Sequence, residues 1–159
     1  MTTGQGPQAG TGNGWHPEPP RSEEGGWHVL ARIPVRVDAR TLWKAMLDKT
    51  EHPERYNPSI ERASVLDHDP TVVLRRIWPT SGTPFEEYVR HTVRARRVEY
   101  RHHGAGWAYA QAIVEVDDEP CLVYEVDDPT QAASCAGITP EHAQRTLRHL
   151  LERAGSLLP

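Results

Sequence analysis

Cysteine is nearly missing. Cys121 and Cys135 are the only two in 159 residues, too few for a disulfide framework. Neither sits in a C-x-x-C or H-x-x-x-H spacing, so no metal site is expected. No run comes near the roughly 20 apolar residues a bilayer span needs, and membrane insertion is not expected. The start, MTTGQGPQAG, has neither a basic patch nor an apolar stretch. That argues against a signal peptide, so a cytoplasmic location is the expectation. A basic excess is absent as well: the net charge is −4, against the footprint of a general nucleic-acid binder. Lysine is scarce, with Lys44 and Lys49 beside 16 arginines, which reads as the coding bias of a GC-rich genome.

What is present begins late. Residues 1–26 hold seven of the 12 glycines and four of the 14 prolines. Such a segment buries too little surface to offset its ordering entropy. Residues 1–26 are expected to be a disordered tail and residues 27–159 a single domain, since no later linker divides them.

In WHVLARIPVRV, Val29, Ala31, Ile33, Val35 and Val37 share a parity, the mark of a half-buried strand. Pro34 points to an edge position or a bulge. Asp38 is placed to cap a short helix in which Leu42–Met46 and Trp43–Leu47 pair. The stretch HPERYNP holds two prolines and room for one further turn. From Ile60 six strand patterns follow in short meander connections, giving seven strands and favouring one antiparallel sheet. The last element opens with Thr139 as N-cap, Pro140 at the first position and Glu141 at the positive dipole end. Ala143, Leu147, Leu150, Leu151, Ala154 and Leu158 then paint one apolar stripe, while His142 and His149 fall on its flanks. The expected fold is α+β: a curved seven-stranded antiparallel sheet wrapped around a long C-terminal helix, with short helices after strand 1 and an internal cavity.

That order, with IPVRVDARTLWKAMLDKTEHPERYNPSIERASVL, resembles the START-like superfamily, also called SRPBCC or helix-grip proteins, and above all its AtaL-like branch. In that branch a strand and a Leu-Trp helix precede a P-x-x-[FY]-x-P-x-I segment, here Pro53, Tyr56, Pro58 and Ile60. The resemblance spans roughly residues 27–156 and implies a ligand cavity between helix and sheet. It also implies an aromatic or polyketide-like ligand from natural-product metabolism. It brings no catalytic motif to carry over.

The chemistry-bearing residues are polar side chains on apolar strand parities. Phe85, Val89 and Val93 bring Glu87 and His91 inward, while Val98 brings Tyr100 and His102. Val72 and Leu74 would turn Arg76 and Trp78 inward, although Val73 and Ile77 compete with that parity. If neighbouring strands pair, Glu87, His91, Tyr100 and His102 come within reach, and a His beside a carboxylate lined by Tyr is general acid–base equipment. An inward His can equally be a hydrogen-bonded core residue, and Glu87 and Arg76 can simply neutralise each other. Ala108, Ala110, Ala112, Val114 and Val116 form a further parity. Facing inward, they would leave volume for a cavity or simply let the long helix approach closely. Trp43, Trp78, Tyr100, Trp107, Tyr109 and Tyr124 are candidates for aromatic walls or for plain core.

Charge is segregated, with seven Arg against three Glu over residues 75–101 and seven acids over residues 115–128. This reads either as a steering field for an anionic ligand or acidic carrier protein or as cross-strand ion pairs. The broken segments Lys49–Ile60 and Asp128–Gly137 are expected at the cavity mouth, with Tyr56 as its aromatic.

The leading function is a cofactor-free cyclase, dehydratase or isomerase acting on a polyketide-like or aromatic small molecule. Glu87 with His91 or His102 would move protons, Tyr100 would hydrogen-bond a carbonyl, and Arg76 would stabilise enolate charge. Trp43, Tyr56, Trp78, Phe85, Tyr124, Leu147 and Leu150 would line the pocket. A non-catalytic carrier of a hydrophobic metabolite and a protein-interaction module are the rivals. No cofactor is expected; an acyl-carrier or pathway-enzyme partner and a homodimer stay open. A pocket holding Glu87 and a His within hydrogen-bond reach would favour the enzyme.

Overall fold

A computed structural model describes residues 26–156; residues 1–25 of the expected tail, and Leu158 of the helical stripe, lie outside the described residues. Its elements are β1 (His28–Pro34), α1 (Ala39–Glu51), a single 3-10 turn (Pro53–Arg55), β2 (Ile60–His68), β3 (Val72–Pro79) and β4 (Phe85–Thr92). Then come β5 (Arg97–His102), β6 (Tyr109–Val116), β7 (Glu119–Val126), α2 (Pro129–Ala136) and α3 (Pro140–Ser156). All seven strands form one antiparallel sheet in the order β1-β7-β6-β5-β4-β3-β2. The sheet curves around α3, as the sequence led us to expect.

Local chemistry explains the joints. Asp38 caps α1 by accepting from the Thr41 N–H at 3.1 Å, and Thr139 Oγ1 accepts from the His142 N–H at 3.1 Å to open α3. The β6–β7 hairpin turns on Asp117 and Asp118, both at positive φ, which matches the right-handed twist of its strands. Pro34 lies on an edge strand, and β1 carries a bulge between Val29 and Ala31. The bulge breaks the expected parity, so Val29 is exposed while Ile33 is buried.

The core lies between sheet and helices. From α1 it takes Leu42, Trp43, Ala45 and Met46, and from α3 Ala143, Leu147, Leu150 and Ala154. The segment 128–137, expected to be irregular, is instead mostly α2. Asp128 caps it by accepting from the Gln131 N–H, and Gly137 ends it in the left-handed region at φ 65°.

Two parities also differ from expectation. On β3 the buried residues are Val73, Arg75 and Ile77. Arg76 therefore sits on the outer face paired with Glu86, and Trp78 stacks there under Arg62, 3.7 Å from the ring centroid. On β6 the cavity side carries Tyr109, Gln111 and Ile113. Ala110 and Ala112 are cross-strand partners of Glu99 and Arg97 on the convex face. There Arg97 pairs with both Glu99 and Glu125 beside these small side chains. Part of the segregated charge is thus paired across strands on this face, as in Arg97–Glu125 and Arg90–Glu99.

Candidate functional site

Three strands set the site in one cross-strand row. Arg75 on β3 is the register partner of Glu87 on β4, which is in turn the partner of His102 on β5. Side chains opposite one another share a face, so guanidinium, carboxylate and imidazole meet at one end of the concave surface. Arg75 donates to Glu87 Oε1 from Nε at 3.1 Å and from Nη2 at 2.6 Å. Its Nη1 donates at 2.8 Å to the carbonyls of Lys49 and Thr50, orphan acceptors in the last turn of α1. Arg75 therefore ties helix to sheet.

The other carboxylate oxygen of Glu87 accepts from the Tyr109 hydroxyl at 3.0 Å and lies 3.3 Å from His102 Nε2. Burial acts to raise the Glu87 pKa, but Arg75 and His102 overcome it and hold the carboxyl at about 2. Glu87 is thus a fixed carboxylate near neutral pH and holds no proton to give. His102, the third member of the row, has its ring 4.4 Å from that of Phe85 and 5.7 Å from that of Trp107. A carboxylate at Nε2 favours the tautomer protonated there and leaves Nδ1 to accept a proton.

Around this row is a cavity of about 190 Å³, lined by Arg75, Glu87, His102, Tyr109, Gln111 and Tyr124 from the sheet. Lys49 enters from α1, Pro53, Asn57, Ser59 and Ile60 from the broken segment, and Ala136, Ile138, His142 and Thr146 from the α2–α3 region. Both segments expected at the mouth border the cavity. The volume lies below the roughly 300–1,000 Å³ of clefts for drug-sized ligands and just above a cavity of about 150 Å³ that takes benzene. In this conformation it matches a single-ring molecule or one ring of a larger one.

Of the expected residues, Glu87, His102, Phe85 and Tyr124 are at this cavity. His91 is not: it is the register partner of Val98, four residues or about 13 Å along the strand from Glu87. Tyr100 is fully buried, stacked on Tyr109 at 4.6 Å, and its hydroxyl has no partner among the described residues; Tyr109 is the tyrosine that presents its hydroxyl. Arg76 and Trp78 border an outer groove instead. Trp43, Leu147 and Leu150 belong to the core. Tyr56 is buried and donates to Asp48 Oδ2 at 2.7 Å.

Sequence reasoning missed Arg75, Gln111 and Lys49. For Lys49 a signal existed, because it continues the Leu42, Ala45 and Met46 stripe of α1 at helical spacing. Its Nζ donates to Gln111 Oε1 at 3.0 Å. Burial first, then the Arg75 guanidinium, push its pKa down to about 7, against an opposing pull from Glu87.

The profile of a family described as "AtaL: Acetylaranotin biosynthesis cluster protein L" matches residues 32–136. The chain belongs to the AtaL family. Solved structures agree on the helix-grip fold. A protein of Thermus thermophilus superposes with a TM-score of 0.60 at 10% identity, covering 80% of this chain and 97% of its own. The di-domain ARO/CYC StfQ of the steffimycin biosynthetic pathway gives 0.56 at 11% identity, over 79% of this chain and 50% of that one. A STAR-related lipid transfer protein of Xanthomonas axonopodis gives 0.51 at 13% identity, over 78% and 83%. No curated protein matches the sequence. Among the described residues no helix is long and apolar enough to cross a membrane, and no three His, Cys, Asp or Glu side chains gather as metal ligands.

Proposed function

We propose that residues 27–159 form one small-molecule-binding domain of a biosynthetic pathway, acting as a cofactor-free cyclase, dehydratase or isomerase by general acid–base catalysis. The observation that carries this reading is His102 Nε2 at 3.3 Å from Glu87 Oε2 in the cavity wall. An imidazole oriented by a carboxylate suits proton removal from carbon next to a carbonyl near neutral pH. In this reading Glu87 orients His102, while Tyr109 steadies Glu87. The AtaL family's biosynthetic description and the ARO/CYC neighbour support a polyketide-like or aromatic substrate. A carrier of hydrophobic metabolites needs no half-buried imidazole set on a buried carboxylate, whose desolvation costs energy that apolar residues would not.

The test is turnover of candidate aromatic and polyketide-like intermediates by wild type, His91→Ala and His102→Ala. Loss of about 10²–10⁴-fold in His102→Ala, with His91→Ala near wild type, is expected. Equal turnover in all three would remove the assignment, and stoichiometric binding without turnover would favour the carrier.

A further inference from the structure

Lys49 is the second lysine of a chain that has only two, and the two are placed oppositely. Lys44 is exposed on α1, whereas Lys49 is 6% exposed and borders the cavity. Among the described residues its Nζ bonds to a neutral acceptor, Gln111 Oε1 at 3.0 Å, and pairs with no carboxylate. Arg75, a second cation, is close enough to bond the Lys49 carbonyl at 2.8 Å, and the Tyr100 ring lies 5.1 Å from Nζ. A desolvated amine beside another cation and against aromatic walls is the setting in which lysine acts as a nucleophile instead of a counter-ion.

A second, independent observation concerns Gln111. It is fully buried and borders the same cavity. With Oε1 turned to Lys49, its Nε2 is left as a buried donor with no partner among the described residues. A buried donor without an acceptor is costly, and a ligand oxygen beside Lys49 would satisfy it.

We propose that Lys49 is a carbonyl-capturing amine, forming an imine with an aldehyde or ketone seated in the cavity while Gln111 Nε2 receives the carbonyl oxygen. The inference rests on the small-molecule pocket reading above and names the substrate class for it. Nζ adds to the carbonyl carbon, the C–N bond forming as the C=O π pair moves to oxygen. Both amine hydrogens then leave with that oxygen as one water, so no oxidant or reductant is consumed. Hydrolysis of the imine restores the amine. While protonated, the imine draws electron density from the adjacent C–H bond, the bond from which His102 would take a proton. The lowered affinity of Lys49 for its own proton accords with this role. The titratable and charged groups on the same cavity wall are Arg75, Glu87, His102, Tyr109, Tyr124 and His142, with the Tyr100 ring beside Nζ.

The test uses the full chain with benzaldehyde, whose single ring fits the cavity, and sodium cyanoborohydride at pH 7, followed by peptide mapping of both lysines. Lys49 is expected to carry a benzyl group at least about tenfold faster than Lys44, because an ordinary lysine is almost entirely protonated at that pH. Benzyl alcohol, the same ring without the carbonyl, should bind and slow labelling of Lys49 alone. Lys49→Met, which removes the amine and keeps an unbranched side chain, should bind benzyl alcohol and lose the label at position 49. Labelling of Lys44 at or above the rate of Lys49, with benzyl alcohol still bound in the cavity, would overturn the imine proposal and leave the pocket reading standing. Failure of benzyl alcohol to perturb Tyr109 or Tyr124 in NMR spectra would overturn the pocket reading itself.

Discussion

Arg75 and Glu87 face each other across β3 and β4 with Nη2 2.6 Å from Oε1, and both side chains are almost sealed from solvent. The pair sits where the end of α1, the sheet and the cavity meet. Removing one partner strands a buried charge, which costs about 3–5 kcal/mol, whereas replacing both with apolar groups costs far less. Glu87→Leu should therefore destabilise by about 3–5 kcal/mol in urea denaturation. Adding Arg75→Met should return part of that loss, the remainder being the α1 carbonyls left without a donor. A Glu87→Leu variant within about 0.5 kcal/mol of wild type would show that the pair carries no such weight.

Lys49 gives stability a pH dependence of definite sign. Its folded-state pKa, about 7, lies below the 10.5 of the free side chain, so between these values the unfolded chain binds more protons. Stability must then rise with pH across that window, by up to about 1.4 kcal/mol per pH unit from this group. Below pH 7 the full cost of burying the charge is present. The groups around it are Arg75, Glu87, Tyr100, Tyr109, Tyr124, His102 and His142. Urea midpoints of wild type and Lys49→Met should converge or cross as pH rises from 7 to 10. Parallel curves would mean that Lys49 keeps its ordinary titration.

Tyr56 was the aromatic expected at the mouth, and its geometry gives a different outcome. With the ring buried and the hydroxyl on Asp48 at 2.7 Å, Tyr56→Ala should cost about 3–5 kcal/mol. Tyr56→Phe should cost about 1 kcal/mol. Affinity for a cavity ligand should be unchanged in Tyr56→Phe, as isothermal titration would measure. Weakened binding with unaltered thermal stability would return Tyr56 to the mouth.

Most of the architecture was legible because it rests on local rules. Period-2 patterning gave the strands, Thr139 and Pro140 opened α3, and Ala143, Leu147, Leu150 and Ala154 fixed the face that the sheet grips. Glu87 and His102 were legible for the same reason, as polar residues on parities otherwise filled by Val89, Val98 and Tyr100. β3 was not, because both of its faces are partly covered. Val72 and Leu74 are half-buried outside while Arg75 is buried inside, so hydrophobicity pointed the wrong way. Only Glu87 and the end of α1 make an inward Arg75 tolerable, and those are long-range contacts. The alanines of β6 misled similarly, since small residues under an ion-pair network read like small residues under a helix. Lys49 stood in the apolar stripe of α1, but nothing local shows that it meets Gln111, 62 residues away.

His102, oriented by Glu87, is expected to move a proton in this cavity. The most direct measurement is exchange of the methyl protons of acetophenone for deuterium in D2O, followed by proton NMR with wild type, Arg76→Ala and His102→Ala. Wild type and Arg76→Ala should accelerate exchange alike, and His102→Ala should lose about 10²-fold or more. No acceleration by wild type over buffer, or equal exchange in all three proteins, would show that His102 is not the base.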